Sequence, residues 1–380
     1  EPMVMPVALG LIGADGTEVV PTQVVALDRA ETTLHWDGLD ARPVPSILRG
    51  FSAPVMLEYS PQPGALAHLL AHDTDPVARW EAGRRLALET AREGVASGGA
   101  PDPQWLAALE PVLADDGLEP SYRALMLRLP DEETIAAHLA GLGEVPDPDA
   151  IYAARRRMRT ALAERFGTRL EAVLAGLAPD GHYSPDPEAA GRRALRLAAL
   201  GLVALRDGGA QARAVLAGAD NMTEQLGALA VLLDIGRGTD ALEAFGAQWR
   251  HDRLVMDKWF ALQTSHAAPA GAAWLAAELA AHPDFDWTNP NRFRAVFGGL
   301  AGNHAGFHHE SGAGYDLLAD WLIRMDGRNP QFAARMSTAF ETWRRYDSGR
   351  QAKARAALTR IAGHNKLSRD MGEMVARMLG

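Results

Sequence analysis

The chain has 380 residues, 47% hydrophobic and 23% charged, the proportions of a soluble globular protein with room for two or three domains. A formal net charge of −10 excludes a general nucleic-acid binder, because phosphate binding needs a basic face. The absence of cysteine excludes disulfides, thiolate nucleophiles and cysteine-ligated zinc, and fits a reducing, cytoplasmic setting. No stretch approaches the roughly 18 apolar residues that cross a bilayer. The first residues lack the basic and apolar regions of a signal peptide, so no membrane or secreted role is expected.

The first 60 or so residues are rich in β-branched side chains and turn signals. "VMPVALGLI" (4–12) runs into the turn "GADG"; "TQVVALD" (22–28), "TTLHW" (32–36) and "APVMLEY" (53–59) follow. These spacings predict four or five short strands. Pro6, Pro21, Pro43, Pro45 and Pro54 confine them to edges or strand ends. The expectation for residues 1–60 is a small β-sandwich, with few strands for a complete one.

After Tyr59 the apolar period changes to about 3.6 and stays there. "DPVARWEAGRRLALETA" (75–91) carries an Asp N-cap, proline at the first helical position, and apolar Val77, Trp80, Leu86 and Leu88. Roughly sixteen to eighteen helices of this kind, joined by short Gly, Pro, Asp and Asn turns, are expected through to Gly380. Residues 61–380 therefore read as a mainly α domain, a solenoid-like α-α superhelix with a concave surface.

Chemical motifs are absent or incomplete. H-E-x-x-H is missing; the nearest approach, "HESGA" (309–313), has Ala313 where the second zinc ligand would stand. His68 and His72 have i, i+4 ligand spacing but no third ligand, and read as structural histidines at a helix end. His304, His308 and His309 read as a loop cluster serving capping or solvation. No phosphate loop or nucleophile elbow occurs. "RRRMR" (155–159) reads as a solvated helix face, and Asp131, Glu132 and Glu133 as helix-start charges. No self-sufficient catalytic or metal constellation emerges.

Six blocks in order are distinctive: "RPVPSILRGFSAPVMLEY" (42–59), "AHDTDPVARWEAGRRL" (71–86), "ADNMTEQLGAL" (219–229), "DRLVMDKWFALQ" (252–263), "NPNRFRAVFGGLAGN" (289–303) and "RNPQFAAR" (328–335). Over essentially the whole chain, they resemble the C-terminal part of the bacterial aminopeptidase N family, zinc metallopeptidases of the gluzincin type. The resemblance implies the end of the β-sandwich domain, as a small, incomplete Ig-like β-sandwich, plus the helical C-terminal domain. The zinc and the catalytic groups would lie in a catalytic domain not represented here. It implies no cofactor in this chain, inactivity on its own, and two partners: the catalytic domain of the same enzyme and peptide substrates. The start resembles a middle strand of the sandwich. An uncovered sheet edge is therefore expected to be met by the helices, to be disordered, or to support self-association.

In "NPNRFR", Asn289 is placed as N-cap and Pro290 as the first helical residue, with Phe293, Val296, Phe297 and Leu300 on one face. Arg292 and Arg294 fall about 100° to either side, and neither needs burial. "NPQFAAR" repeats the device, with Gln331 and Arg335 at i, i+4. By resemblance, Arg294, Gln331 and Arg335 would line the internal chamber and position the peptide, since a guanidinium fork suits a carboxylate or carbonyl. In "DRLVMDKWF", Met256, Trp259 and Phe260 are expected as core and Asp257 and Lys258 in local ion pairs. Two alternatives are a free-standing α-solenoid adaptor that binds peptides or proteins, and a full enzyme with an unrecognised site.

Overall fold

The computed structural model describes residues 3–179, 181 and 183–380. Its only sheet among these residues is antiparallel: β1 (Met5–Ile12), β2 (Glu18–Leu27) and β3 (Val44–Ile47), in the order β2-β1-β3. Val7 faces Val25 across one ladder and Ile12 faces Val44 across the other. Three strands form rather than four or five, and the expected strands at 32–36 and 53–59 are irregular. Pro54 has no N–H to give a ladder, and Met56 is 97% exposed, so nothing rewards pairing there. One sheet face packs on the helices, with Ile12 against Leu69 and Ala82.

A buried charge cluster joins the sheet to the helices. Leu48, Gly50 and Phe51 all adopt positive φ, and this tight turn holds Arg49 buried. Arg49 donates to Ser46 Oγ (2.8 Å), Thr22 Oγ1 (2.8 Å) and Asp73 Oδ1 (3.0 Å), and pairs with Glu18. Gly10 is required below it, because a Cβ there would stand 2.5 Å from the guanidinium.

Beyond the sheet the chain is helical, and many helices start with one device. Asp75-Pro76, Asp102-Pro103, Asp147-Pro148, Asp186-Pro187, Asn289-Pro290 and Asn329-Pro330 each place an Asx cap before a first-turn proline. The Asx oxygen takes an orphan amide, and proline has no amide to leave unpaired. Nineteen α-helical segments result among the described residues. Two of them, Pro290–Phe293 and Gly299–Gly302, flank a π-helical turn over Arg294–Gly298.

Two successive apolar cores hold the array together. The first runs from Leu70 to Val255 and the second from Met256 to Met378. Both meet on the helix Arg253–Ser265. The array then curves until its later helices touch its earlier ones. Ala305 N donates to Glu132 Oε2 (3.2 Å), Arg345 pairs with Glu133 (2.5 Å), and Arg350 pairs with Asp149 (2.6 Å). Arg350 also donates to the His308 carbonyl (2.7 Å) and pairs with Asp347 (2.7 Å). A row of charge-assisted bonds thus forms a seam between segments 173 to 212 residues apart.

Candidate functional site

The two Asn-Pro blocks are packed side by side. Asn289 Oδ1 accepts from Asn291 N (3.1 Å) and Asn329 Oδ1 from Phe332 N (3.2 Å). Phe293, Val296, Phe297 and Leu300 are fully buried, as the helical spacing requires. Phe293 meets the Phe332 ring edge-on at 5.6 Å. The Arg294 guanidinium lies over the same Phe332 ring at 5.4 Å and donates to Asn291 Oδ1 at 3.3 Å. Arg294, Gln331 and Arg335 are all exposed. Arg294 and the Gln331–Arg335 pair therefore occupy neighbouring surfaces, with Phe332 between the blocks. The π-helical turn that starts at Arg294 adds one residue to the helix, a distortion frequent at functional positions.

Arg292 behaves differently from the expectation that neither arginine needs burial. It is 4% exposed, pairs with Asp257 (2.5 Å) and donates to the Asp284 and Arg253 carbonyls. Its guanidinium also stacks 4.6 Å from the Phe260 ring. The helix Arg253–Ser265 covers that side, so the side chain has no route to solvent. Asp257 is thus in a tertiary pair rather than a local one, and Lys258 is exposed with no ion pair among the described residues. Met256 and Phe260 are core as expected; Trp259 is partly buried and donates its indole N–H to the Leu242 carbonyl (3.0 Å).

A cavity of about 600 Å³ lies under the seam, beyond the C-terminal ends of the two blocks. Ala301 and Gly302 of the first block line it, as do Thr338, Ala339 and Thr342, which follow the second. Its charged walls come from Asp131, Glu132, Glu133 and Asp234 and from Arg155, Arg156 and Arg159. Arg294, Gln331 and Arg335 are not among its lining residues.

The cavity histidines are not a solvated loop cluster. His304 and His308 are 6% and 3% exposed. They lie at the short helix His304–Phe307 and its C-terminal end, and contact the Tyr346 and Tyr315 hydroxyls at 2.9 Å each. Burial, with Arg345 and Arg350 nearby, pushes His304 down to about 4, and burial holds His308 well below the usual range. Both are neutral at physiological pH. Burial raises the Glu132 carboxyl and pushes the Tyr346 hydroxyl up to about 12. His309 alone faces outward and contacts Ser311 Oγ at 3.0 Å.

The basic run 155–159 is also docked rather than solvated. Arg157 donates to the Gly94 and Gly99 carbonyls, Arg159 pairs with Asp234, and Arg155 Nε donates to the Pro130 carbonyl (2.9 Å). Only Arg156 of the four is exposed. Asp131 does cap its helix, accepting from Thr134 N at 2.7 Å. Glu132, read with it as a helix-start charge, reaches across the seam instead. Nothing local signals that role, because its partner lies 173 residues away.

Among the described residues, no group of three or more His, Asp or Glu side chains could hold a metal ion. His68 Nε2 contacts the Gly13 carbonyl (2.8 Å), and His72 fills the space beside Gly16, where a Cβ would come within 2.5 Å of its ring. These residues serve the sheet–helix junction. The described residues do not fit a zinc centre.

Residues 63–380 match a family of domains of unknown function with ARM repeats (DUF3458_C), and residues 1–60 match its companion of Ig-like fold (DUF3458). Aminopeptidase N of Caulobacter vibrioides is 40% identical over 98% of this chain and 44% of its own length. Aminopeptidase N of Escherichia coli is 33% identical over 100% of this chain and 45% of its own length. The crystal structure of Legionella pneumophila aminopeptidase A in complex with aspartic acid superposes with a TM-score of 0.87. It is 28% identical to the chain, covering 99% of it and 45% of the solved chain.

The chain belongs to this ARM-repeat family, the C-terminal part of bacterial aminopeptidase N. It spans less than half the length of the relatives it matches. No helix among the described residues is long and apolar enough to cross a membrane.

Proposed function

We propose that the chain is the non-catalytic wall of a cytoplasmic zinc aminopeptidase, capping the catalytic portion and positioning the peptide. The observation that carries this reading is the convergence of the two Asn-Pro blocks. Arg294 is set against Phe332 on a fixed aromatic floor, beside the helix that displays Gln331 and Arg335. Arg294 and Arg335 are exposed guanidiniums without carboxylate partners among the described residues, free to take a peptide carbonyl or carboxylate. Held groups of this kind orient a substrate and contribute through geometry rather than bond cleavage. Zinc and the cleavage step belong, in this reading, to the portion of the relatives outside this chain.

Reconstitution tests it. Hydrolysis of alanyl and leucyl anilides is measured for the chain with zinc, for the catalytic portion, and for both together. The chain alone should be inactive and the mixture active; hydrolysis by the chain alone would overturn the reading. Tight peptide binding with no gain on mixing would favour the adaptor instead.

A further inference from the structure

A second cavity, of about 450 Å³, lies on the far side of Arg155 and Arg159 from the seam. Arg128 completes a set of three guanidiniums in its lining, which contains no carboxylate. The rest is small or apolar: Ser121, Ala124, Leu127, Ala194 and Ala198 among others. A lining with three guanidiniums and no carboxylate is unexpected in a chain of net charge −10.

Their hydrogen bonds are also incomplete. Arg155 is half-buried, yet its one hydrogen bond comes from Nε, to the Pro130 carbonyl. Its terminal nitrogens have no acceptor and no ion pair among the described residues. The Arg128 side chain is exposed and makes neither among the described residues. Arg159 is held in place by Asp234 and the Gly201 carbonyl. Burial lowers the Arg155 pKa, against the opposing pull of Glu132, Asp234 and Asp131, so water is already partly stripped from a cation whose terminal nitrogens lack an acceptor among the described residues.

Two other cavities show that this is not the rule here. A larger one, of about 710 Å³, also contains three arginines, but its lining supplies acids, and two of the three are paired with them. Arg123 pairs with Asp116 (3.0 Å), Arg165 with Glu110 (2.5 Å), and Arg169 donates to the Leu113 carbonyl (2.9 Å). The cavity under the seam holds Asp131, Glu132, Glu133 and Asp234. Arg155 lines both it and the acid-free cavity, and so divides acid-rich from acid-free space.

We propose that the cavity lined by Arg128, Arg155 and Arg159 is a binding site for a small organic carboxylate. The acid head would take the free guanidinium nitrogens in a forked pair, and an apolar body would lie on Ala124, Leu127, Ala194 and Ala198. The site is separate from the Arg294–Arg335 surface and does not depend on the peptidase reading.

Calorimetric titration of the 380-residue chain tests it, with N-acetylleucine, its neutral amide and inorganic phosphate as probes. The acid should bind at least about tenfold more tightly than the amide, the ratio expected of a charge-assisted bond. Phosphate, which lacks the apolar body, should bind more weakly than the acid. Arg155→Gln should weaken the acid about tenfold and Arg128→Gln several-fold, whereas Arg169→Gln in the larger cavity should change nothing. Arg128 is exposed, so its variant keeps the test valid even if Arg155→Gln does not fold. Equal affinity for acid and amide, no binding of the acid, phosphate binding as tightly as the acid, or indifference to Arg128→Gln would overturn the proposal.

Discussion

The two cores of the helical array are built from different side chains. The first is aliphatic: leucine and alanine dominate from Leu70 to Val255, with Trp105, Phe166 and Phe245 as its buried aromatics. The second is aromatic, with Phe260, Phe293, Phe297, Phe307, Phe340 and Tyr315 interlocked. The cavities of about 710 and 450 Å³ are lined by residues from the first region. The Asn-Pro blocks stand on the second. Rings pack as rigid bodies with two torsions each, and edge-to-face pairs add orientation to burial. Short aliphatic chains bring helices close but leave gaps between elements. A floor of interlocked rings under the Asn-Pro blocks, and two cavities among the aliphatic helices, thus follow from residue choice within one architecture.

The largest test of that contrast is Phe297→Ala. Phe297 is fully buried against Phe285, Phe293 and Trp321, so truncation should cost about 3–5 kcal/mol, towards the upper part of the range of about 2–5 kcal/mol for Leu229→Ala in the first core. Denaturant melts of the two variants compare them directly. Equal losses would remove the claim that the aromatic core is the firmer one.

Acid should weaken the seam between the regions next. The folded pKa of His304 is depressed to about 4 from 6.5, so the unfolded chain binds the proton more readily between these values. Its contribution is full above about pH 6.5 and is lost as the pH falls towards 4, about 3 kcal/mol in all. Melting at stepped pH should show this slope, and His304→Phe should flatten it.

A smaller loss, about 2 kcal/mol, is expected for Arg350→Met, which removes the pairs to Asp149 and Asp347 and the bond to the His308 carbonyl. Hydrogen exchange should then show the two cores opening separately. Exchange that stays uniform would mean that the seam does not couple them.

Arg294→Ala should be the mildest change to stability, within about 0.5 kcal/mol, because the side chain is exposed. In the reconstituted enzyme it should raise KM severalfold or lower kcat/KM. Unchanged kinetics would remove Arg294 from the positioning role.

Much of this organisation is legible in the sequence, and the gaps have physical causes. Asp75, Asn289 and Asn329 are visible as caps because capping is local chemistry. The buried face of Phe293, Val296, Phe297 and Leu300 is visible because helical periodicity is local too. On the helix Pro76–Ser97, large side chains mislead: Ala78, Ala82, Gly83, Ala87 and Ala91 are buried, while Val77, Trp80 and Leu86 are only partly so. Close helix packing selects the small residues there. Arg292 is illegible because its partners, Asp257 and Phe260, lie on another helix. Glu132 and the arginines at 155 and 159 fail for the same reason. The roles of Arg294, Gln331 and Arg335 rest on family resemblance, which periodicity cannot supply.

The π-helical turn at Arg294–Gly298 makes this helix intolerant of length change. Removing one residue there would convert the segment to a regular α-helix and swing everything downstream through about 100°. Ala301 and Gly302 would leave the cavity wall, and Leu300 would leave its apolar niche. Insertions and deletions should therefore be tolerated in the joints on either side of this helix but not within its wide turn, whatever residue is lost.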